Sequence, residues 1–232
     1  MHILCLQHDP LDGPGTIVEW ADSRGHCLSI LLICQGEPIP HPDTFDLLIS
    51  LGGPMGAYEE EENPWLKHEK QLLQDAFASG KKILGLCLGC QLLAEALGGK
   101  AFRHTCKEFG WQPIEPTAEG RKWFGVGESE CTFFAFQWHG DTYTLPPEAV
   151  QLARNPACEQ QAFVIGDQAV GLQFHLEWTE AMAVDALASP GALPPPSRFV
   201  QTPKEVLADP TLFTTGKKRF FALMDRLVSI ES

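Results

Sequence analysis

Three short segments hold the residue types that covalent chemistry uses. The sharpest is Ile83-Leu84-Gly85-Leu86-Cys87-Leu88-Gly89-Cys90-Gln91, where an apolar run enters Gly-x-Cys-x-Gly and then a helical stretch. Small residues on both sides of a nucleophile permit a sharp strand-to-helix turn. Such a turn lifts the side chain out at the carboxyl end of a sheet, as in the serine elbow of hydrolases. The helix N-terminus beyond Cys87 favours a thiolate, and the free N–H of Leu88 is placed to meet an oxyanion. A thiol that attacks an acyl group also needs a base and a group to orient that base. Of the 8 His, His175 stands out in Gln173-Phe-His-Leu-Glu177, directly after an apolar run. In extended chain, residues i and i+2 point the same way, so Glu177 can face the same side as His175. His139, in Trp138-His-Gly140-Asp141, is the next candidate base and reads better as part of a substrate loop, whereas His2, His26, His41 and His68 read as solvated. The third segment is Ser50-Leu51-Gly52-Gly53-Pro54-Met55-Gly56. Successive glycines at a strand end let backbone N–H groups approach a ligand closely.

Each feature has a plainer reading beside it. Cys87 could be a buried strand-end thiol, and His175 a hydrogen-bonded structural histidine. Gly52-Gly53 could be only a tight turn. It does not read as a phosphate loop, because no Lys-Ser/Thr follows and no Gly-x-Gly-x-x-Gly is present. Cys87-x-x-Cys90 could be half a zinc site, but no second Cys pair stands at suitable spacing. It could also be a dithiol redox pair at a helix N-terminus. The flanking glycines favour the elbow, since a redox pair needs none before its first Cys.

The elements that must position these residues follow from the hydrophobic pattern. Residues 2–7, 27–33, 46–51 and 83–86 are short, continuously apolar runs that read as buried strands. Between them, 16–24 has helical spacing, and a helix opening at Asn63-Pro64 closes at Gly80. Residues 91–97 read as a helix ended by Gly98-Gly99. Strands alternating with helices imply a parallel sheet covered on both faces. Beyond Lys100 the texture becomes β-rich, with strand-like segments at 100–104, 110–115, 131–138, 150–154, 160–165 and 169–174. A helix is expected over 179–188, then a Pro-rich loop over 189–197, a helical start at Pro203 and a final amphipathic helix over 217–230. The expected architecture is a three-layer α/β domain with a mostly parallel central sheet, plus a smaller antiparallel sheet. Residues 1–232 read as one domain, with 179–232 packed on it.

Composition narrows the function classes. With 17 Lys plus Arg against 30 Asp plus Glu, the 232-residue chain carries a formal charge of −13. That disfavours nucleic acid and anionic membrane surfaces as ligands, since both call for a basic face. No apolar run approaches the roughly 18 residues that span a bilayer, and the opening residues do not read as a signal peptide. The 8 Cys are spread through apolar contexts, which reads as reduced thiols in a cytoplasm.

Taken in order, Gly-Gly-Pro at 52–54, Gly-x-Cys-x-Gly-x-Gln at 85–91 and His-x-Glu at 175–177 resemble the class I glutamine amidotransferases, the triad glutaminases. The resemblance runs from the first strand to past Glu177. It is closest to the branch of the glutaminase domain of GMP synthetase, through Trp-His-Gly-Asp at 138–141 and Gln-Phe-His-Leu-Glu at 173–177. It implies a flavodoxin-like α/β/α fold and a Cys87–His175–Glu177 triad that forms a glutamyl thioester and releases glutamate and ammonia. It further implies an oxyanion hole from the Gly53 and Leu88 N–H groups, and substrate contacts from Gly52, Gln91, His139, Gly140 and Asp141. No cofactor or metal is expected. An amidotransferase needs a synthetase site to receive ammonia, and no ATP-binding motif is visible in these residues. The resemblance therefore implies either a separate synthetase subunit or a stand-alone γ-glutamyl hydrolase or peptidase. The dithiol redox protein stays open as a different class.

Overall fold

The computed structural model describes residues 1–127, 129–189 and 193–229. Strands β1 (His2–Gln7), β2 (Cys27–Leu32), β3 (Leu47–Ser50), β4 (Lys82–Leu86) and β9 (Ala169–Leu172) pair in parallel in the order β2-β1-β3-β4-β9. Side chains along these strands alternate between two cores. Ile3, Cys5, Leu47, Ile49, Leu84, Leu86, Val170 and Leu172 face one side. Leu4, Leu6, Leu48, Ile83 and Ala169 face the other. Apolar residues at both parities explain why these strands read as continuous runs, as sheets buried on both faces do.

Helices α1 (Thr16–Ser23), α4 (Ala118–Phe124) and α7 (Thr211–Ser229) cover the first face through Ile17, Trp20, Trp123, Phe124, Phe220, Leu223, Met224 and Leu227. Helices α2 (Trp65–Ala78) and α3 (Leu88–Ala96) cover the second through Leu66, Leu72, Leu73, Leu92 and Leu93. The C-terminal helix is clipped to α1 by a hydrogen bond from Trp20 Nε1 to Asp225 Oδ1 at 2.9 Å.

The β-rich segment supplies the antiparallel part, built onto this same sheet. Beyond β9 the order continues β8 (Ala162–Ile165), β7 (Val150–Arg154), β5 (Lys100–Pro116) and β6 (Phe133–Thr144), all antiparallel, giving nine strands. The segments 100–104 and 110–115 are one long strand whose register shifts between Arg103 and Glu108. An irregularity of this kind leaves residues unpaired and bends the strand. The β5–β6 ribbon has its own apolar patch of Phe109, Trp111, Phe136, Trp178 and Phe213, closed by Ala183 and Ala186 of α5 (Glu180–Ala188) and Val206 of α6 (Pro203–Val206). His139-Gly140-Asp141, expected in a loop, lies within β6, because the ribbon pairing continues through it. Part of the expected Pro-rich loop, residues 190–192, lies outside the described residues.

Candidate active site

The carboxyl ends of β1, β3, β4 and β9 converge where the strand order reverses, the position at which open α/β sheets bind ligands. Cys87 sits at the junction of β4 and α3, and the helix begins at Leu88, three residues earlier than its apolar pattern suggests. Its φ of 52° and ψ of −106° place a non-glycine residue in a strained backbone conformation, of the kind held at functional turns by surrounding structure. Two glycines make the turn sterically possible. A Cβ on Gly85 would lie 2.5 Å from the Gly89 carbonyl oxygen, and one on Gly89 would lie 2.1 Å from the Ser50 carbonyl oxygen. The first turn of α3 is thus pressed onto β4 and β3 with no room for a side chain between them.

His175 lies three residues beyond β9. Its backbone exchanges hydrogen bonds with Phe136 of β6, its N–H donating at 2.8 Å and its carbonyl accepting at 3.3 Å. The ring is buried against Trp178, and its Nδ1–H donates to Glu177 Oε1 at 2.6 Å. His175 and Cys87 border the same cavity, where the Cys87 thiol donates to the Trp138 carbonyl at 3.7 Å. Burial alone would lower the pKa of His175. The Glu177 carboxylate and Cys87 outweigh burial and hold it well above its ordinary value. Glu177 is fixed in turn by the Leu176 N–H, which donates to its Oε2 at 3.0 Å.

Cys87 is 6 % exposed and opens into a cavity of about 720 Å³. Gly53, Leu88, Gln91, His139, Gly140, Asp141 and His175 border the same cavity. Among the described residues neither the Gly53 nor the Leu88 N–H has a protein acceptor. Gly52 does not border the cavity; it is buried because the Asp12 carboxylate and the His175 ring close over its Cα. His139 borders the cavity with both ring nitrogens already engaged, Nδ1 with the Asp141 carbonyl at 2.9 Å and Nε2 with Glu108 at 3.1 Å. It can offer a ligand its ring face but no free hydrogen bond. Asp141 accepts from the Tyr58 hydroxyl at 2.9 Å.

Several site residues were not singled out by the sequence reading. Gln173 donates to Cys87 Sγ at 3.8 Å and accepts from Gln91 at 3.1 Å. Its position two residues before His175 in extended chain was an available signal. Glu108, wholly enclosed, accepts from Asn155, Gln161 and His139 and supports the floor of β6. Asp12 accepts from Trp178 Nε1 at 3.2 Å and lies beside His175 and Glu177. Burial and the Glu177 charge raise the pKa of Asp12 against the pull of the His175 ring. Asp12, His175 and Glu177 bring ligand atoms within 4.8 Å of one another, the spacing of a metal cluster. Those atoms already serve the His175–Glu177 and Trp178–Asp12 hydrogen bonds, so the set reads as a hydrogen-bond network. Cys90 is fully buried beside Tyr143, under Gly171, and burial pushes its thiol well above the usual range.

A strained cysteine at a strand-to-helix turn and a buried His–Glu pair beyond a neighbouring strand end thus mark the carboxyl edge of this α/β sheet. The family profile "Glutamine amidotransferase class-I" matches residues 29–186. The chain is 31% identical over 183 residues to the glutamine amidotransferase-like protein YfeJ of Salmonella typhimurium, covering 77% of each. It is 32% identical over 136 residues to the glutamine-hydrolyzing GMP synthase of Aliivibrio fischeri, where the match spans 58% of this chain and 24% of that protein. A solved glutamine amidotransferase of Thermotoga maritima superposes with a TM-score of 0.85 at 30% identity, covering 99% of both chains. One from Methylobacillus flagellatus superposes at 0.91 with 28% identity, covering 98% of this chain and 94% of that one. The chain belongs to the class-I glutamine amidotransferase family.

Proposed function

We propose that the chain is a cysteine hydrolase that cleaves γ-glutamyl amides through a glutamyl thioester on Cys87. The observation that carries this reading is the strained Cys87 turn facing a His175 ring whose Nδ1–H is held by Glu177 at 2.6 Å. The thiolate attacks the γ-carbonyl carbon, and the carbonyl π electrons move to oxygen. The Gly53 and Leu88 N–H groups receive that oxyanion. As the tetrahedral species collapses, the C–N bond breaks and the amine leaves with the proton that His175 gives it. His175 then takes a proton from water, the water oxygen attacks the thioester, and glutamate leaves as Cys87 Sγ is restored. With glutamine the released amine is ammonia. Glu177 keeps the imidazolium oriented and charge-balanced throughout. Gln91, Gly140 and Asp141 are assigned to the glutamyl end, the His139 ring walls it, and Gly52 acts from beneath by presenting Gly53. The eight thiols, none in a disulfide, support a cytoplasmic setting, and no helix of the described residues is long and apolar enough to cross a membrane.

Two observations bear on what lies beyond the amide. The cavity, at about 720 Å³, falls within the roughly 300–1,000 Å³ typical of sites for drug-sized ligands. That favours a γ-glutamyl compound larger than free glutamine. Similarity to a glutamine-hydrolyzing GMP synthase subunit of Sulfurisphaera tokodaii, 30% identical over 152 residues, favours instead a separate synthetase partner that takes up ammonia. The test is ammonia release from glutamine and glutamate release from γ-glutamyl dipeptides by the purified chain, with Cys87→Ala as control. Peptide hydrolysis assigns the stand-alone role. Activity on glutamine, alone or after adding a synthetase, assigns the ammonia-supplying role. Full activity in Cys87→Ala would sink the thioester mechanism.

A further inference from the structure

A second buried histidine–carboxylate pair lies behind the site, where the reaction above gives it nothing to do. His8 follows β1, is 1 % exposed and does not border the cavity. Its Nε2 meets Glu69 Oε2 of α2 at 2.8 Å, and the other oxygen of Glu69 accepts from the Ser50 hydroxyl at 2.6 Å. The ring stacks on Trp65 at 5.2 Å and 13°. Its Nδ1 meets the Gly52 carbonyl oxygen at 2.9 Å. A carbonyl oxygen only accepts, so Nδ1 carries a proton whichever way the other proton is shared with Glu69.

The consequence follows from peptide geometry. In a planar trans peptide the C=O and N–H point in opposite directions. The Gly52 carbonyl turns inward to His8, so the N–H of the same peptide, that of Gly53, turns outward, and Gly53 borders the cavity that holds Cys87. Resting on the hydrolase reading above, we infer that His8, anchored by Glu69, is a positioning residue that fixes the Gly52–Gly53 peptide with its N–H aimed at the oxyanion. The hydrogen bond to the carbonyl also polarises the peptide and strengthens its N–H as a donor. Burial would lower the pKa of His8, and the Glu69 carboxylate and the Gly52 carbonyl reverse that, so the ring holds its proton more firmly than a free imidazole.

The test uses the full chain. His8→Phe keeps a ring against Trp65 and removes the donor, while His8→Asn returns an N–H near the Nδ1 position. Loss of one oxyanion donor lowers kcat by about 10²–10³-fold, so a misaimed one is expected to cost His8→Phe about 10–100-fold in kcat, with KM nearly unchanged. His8→Asn should recover most of that loss. Alkylation of Cys87 by iodoacetamide builds no oxyanion, so its rate should hold in both variants. An unchanged kcat in His8→Phe, a parallel loss of alkylation, or an Asn variant no better than Phe would each overturn the inference. Nitrogen-15 NMR of the histidines in the unmodified chain supplies an arm that needs neither substrate nor a folded variant. A proton on His8 Nδ1 throughout the folded pH range supports the inference, and a bare Nδ1 overturns it. If the unmodified chain hydrolyses no γ-glutamyl amide, the hydrolase reading falls, and the NMR result alone decides whether His8 orients the peptide.

Discussion

Replacing Gly89 with Ala tests whether the Cys87 turn is as tightly constrained as its glycines indicate. The new Cβ would lie 2.1 Å from the Ser50 carbonyl oxygen and 2.4 Å from the Ser50 hydroxyl oxygen. Ordinary contact begins at 3.4 Å, so the two backbones must part by about 1.3 Å. β3 cannot yield, because it is paired on one side with β1 and on the other with β4. The start of α3 must move instead, taking Leu88 and Cys87 with it and stretching the 2.9 Å bond from the Gly89 N–H to the Leu51 carbonyl. Overpacking of this sort costs about 1–3 kcal/mol. Ala gains up to about 1 kcal/mol over Gly in helix propensity, so the net cost is up to about 2 kcal/mol. For a chain of this size that is a drop in Tm of up to about 8 °C. Misplacing a nucleophile by about 1 Å costs on the order of 10²-fold in rate. Calorimetry and kcat/KM for a γ-glutamyl anilide read the two effects. Gly127→Ala, where an added Cβ meets nothing within 4 Å, is the control and should change neither. Gly89→Ala with the stability and kcat/KM of the unmodified chain would refute the steric account of the turn.

Two other outcomes follow from the same geometry. Cys90→Ser should leave hydrolysis within severalfold of the unmodified chain, because the thiol is enclosed beside Tyr143 and points at no substrate. Loss of all activity would bring back the dithiol reading. His175 has a folded pKa raised by Glu177, so its protonation stabilises the fold fully below the unfolded histidine value of about 6.5 and ceases to do so as pH rises through the folded value. Glu177→Gln removes the main raising influence. Its stability deficit in urea should be widest near pH ~6 and narrower near pH ~9, and a deficit that grows with pH would contradict the assignment.

The places of Cys87, His175 and Glu177 were legible because they follow apolar strands, where the chain's own pattern marks the carboxyl edge of the sheet. The parallel strands were legible for the same reason, with edges within a residue or two of those observed. Other features gave no local signal. Helix α4 spans only Ala118–Phe124 and carries Gly120, so its pattern is too short to register. Helix α7 begins at Thr211, earlier than the expected 217, because Gly216 breaks the sequence signal while it packs close to Leu176. The β5 irregularity made one strand look like two. His8 and Glu69 are 61 residues apart, and Glu69 sits on a helix whose Lys67, His68 and Asp75 face solvent while Lys70 pairs with Glu60 and Glu95. Only folding reveals that Glu69 is the one turned inward. Of the Pro-rich stretch, Leu193, Pro194 and Pro195 border the cavity, which places that segment on the substrate side.

The order of the strands has a consequence for how the protein is made. β9, which leads into His175, is inserted between β4 and β8 although it comes last of these nine strands along the chain. The Cys87 N–H donates to the Leu172 carbonyl of β9 at 2.8 Å, so the unusual backbone of Cys87 gains one of its fastenings only then. During synthesis Cys87 therefore leaves the ribosome long before His175 exists. The nascent chain carries an ordinary cysteine with no imidazole beside it. Cys87 and His175 can share one cavity only once β9 lies between β4 and β8. A chain truncated before β9 lacks both His175 and the Leu172 carbonyl that accepts from the Cys87 N–H.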